Sequence, residues 1–124
     1  MKNRNSIIWG SSLAVLGVVL GAFAAHILDK QLSEDELMSF QTGVRYQIYH
    51  ALAILILTVL PLKNIRISAK LFAWGTLLFS GSIYLLTLDR IMGVNFNALG
   101  WITPIGGLVL IAGWLQLIRT AYRS

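Results

Sequence analysis

The sequence predicts an all-α fold, a polytopic membrane protein built as an antiparallel four-transmembrane-helix bundle with both termini cytoplasmic. Three observations carry this expectation. Of the 124 residues, 56% are hydrophobic and only 12% are charged, about half the charged share of a typical soluble domain. Four apolar runs, Ser6 to Leu28, Val44 to Leu62, Ser68 to Leu88 and Leu99 to Ile118, are each close to the roughly 20 residues that cross a lipid core of about 30 Å. Basic residues flank these runs on alternate sides. All 124 residues are expected to form a single transmembrane domain.

The charges set the expected orientation. Lys2 and Arg4 precede the first run, Lys63, Arg66 and Lys70 follow the second, and Arg119 and Arg123 close the chain. The other side carries Lys30, Arg45 and Arg90 together with all five acids, Asp29, Glu34, Asp35, Glu36 and Asp89. Placing both termini inside satisfies every connection. The net charge of +5 and a pI near 10.0 then follow from topology. Nucleic-acid binding is excluded, because it needs basic residues gathered on a water-facing surface. The chain has no cysteine, which removes thiolate metal sites and thiol nucleophiles.

Each span has its own punctuation. Lys2, Arg4 and Ala22-Phe23-Ala24 imitate a signal peptide with its cleavage site. The apolar stretch, at about 20 residues, exceeds a signal core of 7–15 and is read as a retained first helix. Along it Gly17, Gly21 and Ala25 recur every four residues, with Gly10 and Ala14 near the same stripe. Small residues at that spacing let helix backbones approach closely in lipid, and the partner is either helix two or a second copy of the chain. Ser33-Glu34-Asp35-Glu36 forms a capping box that starts helix two near Glu34. Pro61 stops it, since the residue before a proline avoids helical angles. From Glu34 to Leu60 it is about 40 Å long, so its polar outer part is expected to project from the membrane. Helix three ends near Asp89-Arg90. Asn95 and Asn97 precede helix four as caps or turn formers, Pro104 sits near its first turn, and Gly106, Gly107 and Gly113 give it thin faces. Trp9, Trp74 and Trp114 are expected at the cytoplasmic interface and Trp101 at the outer one.

Polar groups within spans are the strongest functional pointers, because they are costly in lipid. Counted from Leu60, His50 lies about 15 Å deep, Arg45 about 22 Å and Gln41 about 28 Å. His26, counted from Ser6, reaches about 30 Å and so belongs near Gln41 or Thr42 rather than His50. The two histidines are poorly placed to share a metal or haem, and neither metal nor cofactor is expected. On helix two, Tyr46 and Gln47 lie one turn from His50, and Arg45 lies over Tyr49. Helix three adds Ser80, Ser82, Tyr84 and Thr87 at outer-half depth. These groups form either a polar pocket open to the outside or interhelical hydrogen bonds worth about 0.6 kcal/mol each. Arg45 and Asp89 are both near outer helix ends, where they either pair across the rim or Arg45 snorkels alone.

Catalytic constellations are absent: there is no H-E-x-x-H, P-loop or G-x-S-x-G pattern. The acids form a solvated cluster at a helix start, where the dipole favours them. No carboxylate lies within a span, as a proton-driven exporter of this size would need.

Four motifs in order resemble one known family: Gly21-Ala22-Phe23-Ala24-Ala25-His26, Tyr46-Gln47-Ile48-Tyr49-His50-Ala51-Leu52-Ala53, Phe79-Ser80-Gly81-Ser82-Ile83-Tyr84-Leu85, and Thr103-Pro104-Ile105-Gly106-Gly107 with Gly113-Trp114. They are similar to the signature stretches of small bacterial membrane proteins catalogued as domain of unknown function 423, with distant eukaryotic transmembrane relatives. Ala24 stands where the family motif carries glycine. The resemblance implies a four-helix integral membrane protein and supplies no reaction. It adds emphasis on His26, Gln47, Tyr49, His50, Ser80, Ser82, Tyr84, Thr103 and Pro104.

The expected function is therefore non-enzymatic. The chain is read as an inner-membrane bundle that binds a lipid-like or small amphipathic molecule, or a partner helix, through its outer-half polar cluster. The alternative is a small oligomeric transporter or channel subunit with a histidine-dependent step. The expected partners are the lipid bilayer, a bound lipid or amphipathic molecule, and a second copy.

Overall fold

The computed structural model describes residues 3–124, so Lys2, counted above among the flanking basic residues, lies outside them. Four long helices dominate: α1 (Arg4–His26), α2 (Glu34–Leu57), α3 (Arg66–Met92) and α4 (Ile102–Arg123). Short 3-10 turns at Leu28–Lys30 and Asn97–Trp101 join the helices at one end. This is the loop end. The chain termini and the α2–α3 connection occupy the other.

Local chemistry sets the boundaries. Ser33 caps α2 with the complete capping box: the Glu36 N–H donates to Ser33 Oγ at 3.1 Å, and the Ser33 N–H donates to Glu36 Oε1 at 2.8 Å. The helix stops at Leu57, three residues short of the expected Leu60. There the Thr58 N–H and hydroxyl both turn back to the Leu55 carbonyl, at 3.1 and 2.7 Å. Gly93 ends α3 at φ 70, a left-handed angle that glycine adopts without a side-chain clash. The Asn97 N–H donates to Asn95 Oδ1 at 2.9 Å, so these residues form a turn ahead of α4 rather than its cap.

Successive helices pack antiparallel, α1 on α2, α2 on α3 and α3 on α4, while α1 and α4 do not meet. Small residues set the spacing. A Cβ added at Gly17 would lie 2.7 Å from Ile48, and one at Gly10 2.9 Å from Leu55, so the small-residue face of α1 turns inward onto α2. Gly21 faces Val44 at an ordinary 3.4 Å. Ala25, expected on the same face, is exposed, and the small residue buried at this level is Ala24. At the α3–α4 contact, a Cβ on Gly106 would meet the backbone of Phe79, 2.7 Å from its Cα, and one on Gly113 would meet the Phe72 ring at 2.7 Å. A Cβ on Gly107 would lie 3.7 Å from the Phe79 ring, an ordinary contact that leaves room for a methyl group.

Two apolar clusters result. Near the termini, Leu13, Ala51, Ile54, Leu57, Phe72 and Leu110 pack together; near the loop end, Ala24, Leu28, Leu32, Phe40 and Val44 do so. The exterior is apolar too: Val15, Val18 and Val19 of α1 and Leu108, Ile111 and Leu115 of α4 are all more than half exposed. A contiguous surface of this kind is unsuited to water. Three of the helical segments, Arg4–Lys30, Arg66–Met92 and Asn97–Arg123, are long and apolar enough to cross a membrane. α2 falls short of that measure, because Arg45, Tyr46, Gln47, Tyr49 and His50 interrupt its middle.

Candidate functional site

Two of those interrupting residues face inward and bind helices together. Gln47 is buried; its Nε2 donates to the Leu13 carbonyl at 2.8 Å, and its Oε1 accepts from the Tyr84 hydroxyl at 2.6 Å. One amide thus links α1 to α3 through α2. Ser80 reinforces the same layer by donating to the Gly43 carbonyl at 2.7 Å. A Cβ on Gly43 would lie 2.9 Å from the Tyr84 ring, so this contact needs a glycine-thin surface.

His50, one turn further along α2, makes a second brace. Its Nδ1 lies 2.7 Å from the Tyr46 carbonyl, and its Nε2 lies 3.1 Å from Nε1 of Trp114. A carbonyl only accepts and an indole N–H only donates. The partners therefore select the neutral imidazole with the proton on Nδ1. Phe72 fills the remaining side, with ring centroids 5.4 Å from His50 and 4.6 Å from Trp114. At 5% exposure His50 is a packed, fully bonded brace, which does not fit the pore-lining position required by a histidine-dependent transport step.

A third link joins α3 to α4, where the hydroxyls of Ser82 and Thr103 share a hydrogen bond and Ser82 also donates to the Phe79 carbonyl at 3.0 Å. Of the residues expected in one pocket, then, Gln47, Ser80 and Tyr84 form one network, His50 forms another with Trp114, and Ser82 pairs with Thr103. His26 and Tyr49 join none of them. His26 is exposed at the end of α1, and Tyr49 is 56% exposed because it lies a third of a turn away from the buried His50. Ser68 and Thr76, buried on α3, have hydroxyls without a hydrogen-bond partner.

The open space lies beside the polar network, at the loop end. A groove of about 480 Å³ is lined by Asp35, Glu36 and Ser39 of α2, Ile83, Leu86 and Thr87 of α3, and Gly100, Thr103 and Pro104 at the start of α4. Its walls are apolar, with hydroxyls from three helices and carboxylates at the mouth. Of the residues expected in a pocket, Thr87 and Thr103 line it and the others do not. Asp35 and Glu36 were expected only at a solvated helix start, and Ser39 was not singled out.

The ion pair at this end also differs from expectation. Arg45 does not reach Asp89; its Nη2 donates to Thr42 Oγ1 at 3.1 Å, one turn back along its own helix. Instead Arg90 pairs with Glu36 at 2.8 Å and also donates to the Gln31 carbonyl at 3.1 Å, tying the end of α3 to the start of α2. The bonded Arg90 guanidinium, helped by the Ser33 backbone N–H, holds the Glu36 carboxyl down at about 2. Arg90 is raised in turn by its bond to Glu36.

Relatives with this sequence pattern are named as membrane proteins. The chain is 39% identical over 120 residues to UPF0382 membrane protein SH2409 of Staphylococcus haemolyticus, with 94% of each chain covered. It is 38% identical over 127 residues to UPF0382 inner membrane protein YgdD of Escherichia coli, covering 99% of this chain and 93% of the relative. It is 36% identical over 122 residues to UPF0382 membrane protein YwdK of Bacillus subtilis, covering 94% and 95%. No solved structure matches it. Together with the apolar exterior, these likenesses establish a helical membrane protein. The family profile described as Protein of unknown function (DUF423) matches residues 20–107, and the chain belongs to that family.

Proposed function

We propose that this protein is a non-enzymatic bundle of the inner membrane in which all four helices span, with both termini cytoplasmic. In this reading the loop-end groove, now on the outer side, holds a lipid-like or small amphipathic molecule. The groove itself carries the reading: about 480 Å³ of mainly apolar space with hydroxyls from Ser39, Thr87 and Thr103 and acids at its mouth. Such a site suits an apolar chain ending in a polar head. The span assignment for α2 is supported by the inward placement of Gln47 and His50, which removes these two polar central groups from contact with lipid and leaves Arg45 as the exposed charge. The engagement of both His50 nitrogens argues for binding over chemistry.

Native mass spectrometry of protein released into gentle detergent tests this. Wild type and His50→Ala retain one more bound amphipathic molecule than Ser39→Trp and Thr103→Trp, whose new side chains fill the groove. Loss in His50→Ala with retention in both tryptophan variants would place the ligand elsewhere. No adduct on any of the four proteins would reject the binding function.

A further inference from the structure

Arg45 is the one charge set in the middle of an apolar exterior face. Tyr49, Leu52 and Ile56, which follow it at steps of four, three and four residues, and Met38, two turns before it, are 56, 49, 55 and 59% exposed. Read as a span, α2 turns this stripe to the bilayer. Ionisable groups in spans ordinarily face the bundle interior or pair with one another. Arg45 does neither: it is exposed, and the only salt bridge among the described residues is Arg90 with Glu36.

Its local geometry gives it a direction. Side chains on a helix lean toward the helix N-terminus, and the Arg45 guanidinium follows that lean to reach Thr42 Oγ1 at 3.1 Å. The Thr42 hydroxyl is itself anchored on the Met38 carbonyl at 3.0 Å. One N–H of the guanidinium is used in this way, and the rest of its five-donor fork is free. Thr42 lies about 22 Å along the helix from its end at Leu57, and with the apolar Val59 to Leu62 beyond that end it comes near the outer edge of a lipid core about 30 Å thick. The fixed anion met at that depth is a phospholipid phosphate, and a planar guanidinium matches two phosphate oxygens at once.

We propose that Arg45 binds the phosphodiester of an outer-leaflet phospholipid, with Thr42 as the positioning residue and the acyl chain lying along Tyr49, Leu52 and Ile56. The site rests on α2 being a span. It is separate from the groove, which is lined by a different face of α2.

The test is competitive native mass spectrometry of delipidated protein with phosphatidylglycerol and a phosphate-free diglucosyl diacylglycerol of the same acyl chains. Wild type retains the phospholipid about fivefold over the glycolipid, the preference expected of one basic group near a phosphate surface. Arg45→Gln brings the ratio to near one, Thr42→Val lowers it partway, and Ser39→Trp leaves it unchanged. A helical circular dichroism spectrum for Arg45→Gln shows that the loss is not unfolding. Equal retention of both lipids by wild type would overturn the proposal. A wild-type dimer that Arg45→Gln converts to monomer without changing the lipid ratio would overturn it too, since the partner would then be a carboxylate of a second copy. Labelling of Leu52→Cys in whole cells by a membrane-impermeant thiol reagent would instead show that α2 is not a span, a failure of the underlying reading distinct from the first two.

Discussion

The indole of Trp114 donates to His50 Nε2 at 3.1 Å while the other imidazole nitrogen bonds the Tyr46 carbonyl at 2.7 Å. α2 and α4 have no close backbone approach, so this side-chain bridge spans a gap that the helices leave open. It predicts that nitrogen NMR of His50 reports a neutral ring with the proton on Nδ1. Trp114→Phe keeps an aromatic ring against Phe72 but strips Nε2 of its donor. The expected cost in unfolding from mild detergent is about 1–2 kcal/mol. A ring protonated on Nε2 alone would contradict the arrangement.

Gln47 accepts from Tyr84 and donates to Leu13, so neither side chain of the Gln47–Tyr84 pair acts independently. Gln47→Leu and Tyr84→Phe should each destabilise by about 1 kcal/mol. The double variant should cost less than the sum, because the second substitution removes a bond already lost. Strict additivity in a double-mutant cycle would mean that the two groups do not communicate.

Neighbouring glycines on α4 should respond in opposite ways. Gly106→Ala forces a methyl group into the Phe79 backbone, an overpacking worth about 1–3 kcal/mol. Gly107→Ala meets only the ring edge at 3.7 Å and should be neutral, or stabilising by up to about 1 kcal/mol through helix propensity. Thermal denaturation of the two variants in one detergent measures the contrast.

These glycines also mark the limits of the sequence as a guide. Small-residue spacing identified Gly17, Gly21, Gly106 and Gly113 as thin places, yet Gly106 and Gly107 read alike until the position of Phe79 is known. The capping box at Ser33 was fully legible, because its two hydrogen bonds are local. The Glu36–Arg90 pair, 54 positions apart, was not, since no spacing rule reaches across two helices. Polar residues in spans were singled out by their cost in lipid, but depth alone merged them into one cluster. Helix rotation divides them, turning Gln47 and His50 inward and leaving Tyr49 and Arg45 outside. Trp114 was assigned to the interface belt because a tryptophan carries no mark of a buried acceptor one helix away.

The rim pair carries a pH signature. Glu36 is held at about 2, against an ordinary value of 4.5, first by Arg90 and then by the Ser33 N–H. A depressed carboxyl contributes its stability above the unfolded value and loses it as the pH falls through the folded value. Unfolding measured in detergent should therefore show stability declining from about pH 4.5 toward pH 2. Glu36→Gln and Arg90→Gln should both flatten that slope. An undiminished slope in both variants would remove the pair as its source.

Topology is the claim on which the rest stands, and the absence of native cysteine makes it directly measurable with single cysteines at Lys30, Lys63 and Asn95. In whole cells treated with a membrane-impermeant thiol reagent, Lys30→Cys and Asn95→Cys should be labelled, while Lys63→Cys should react only after the membrane is opened. Labelling of Lys30→Cys and Lys63→Cys from the same side would show that α2 does not cross the bilayer, and would contradict the four-span bundle.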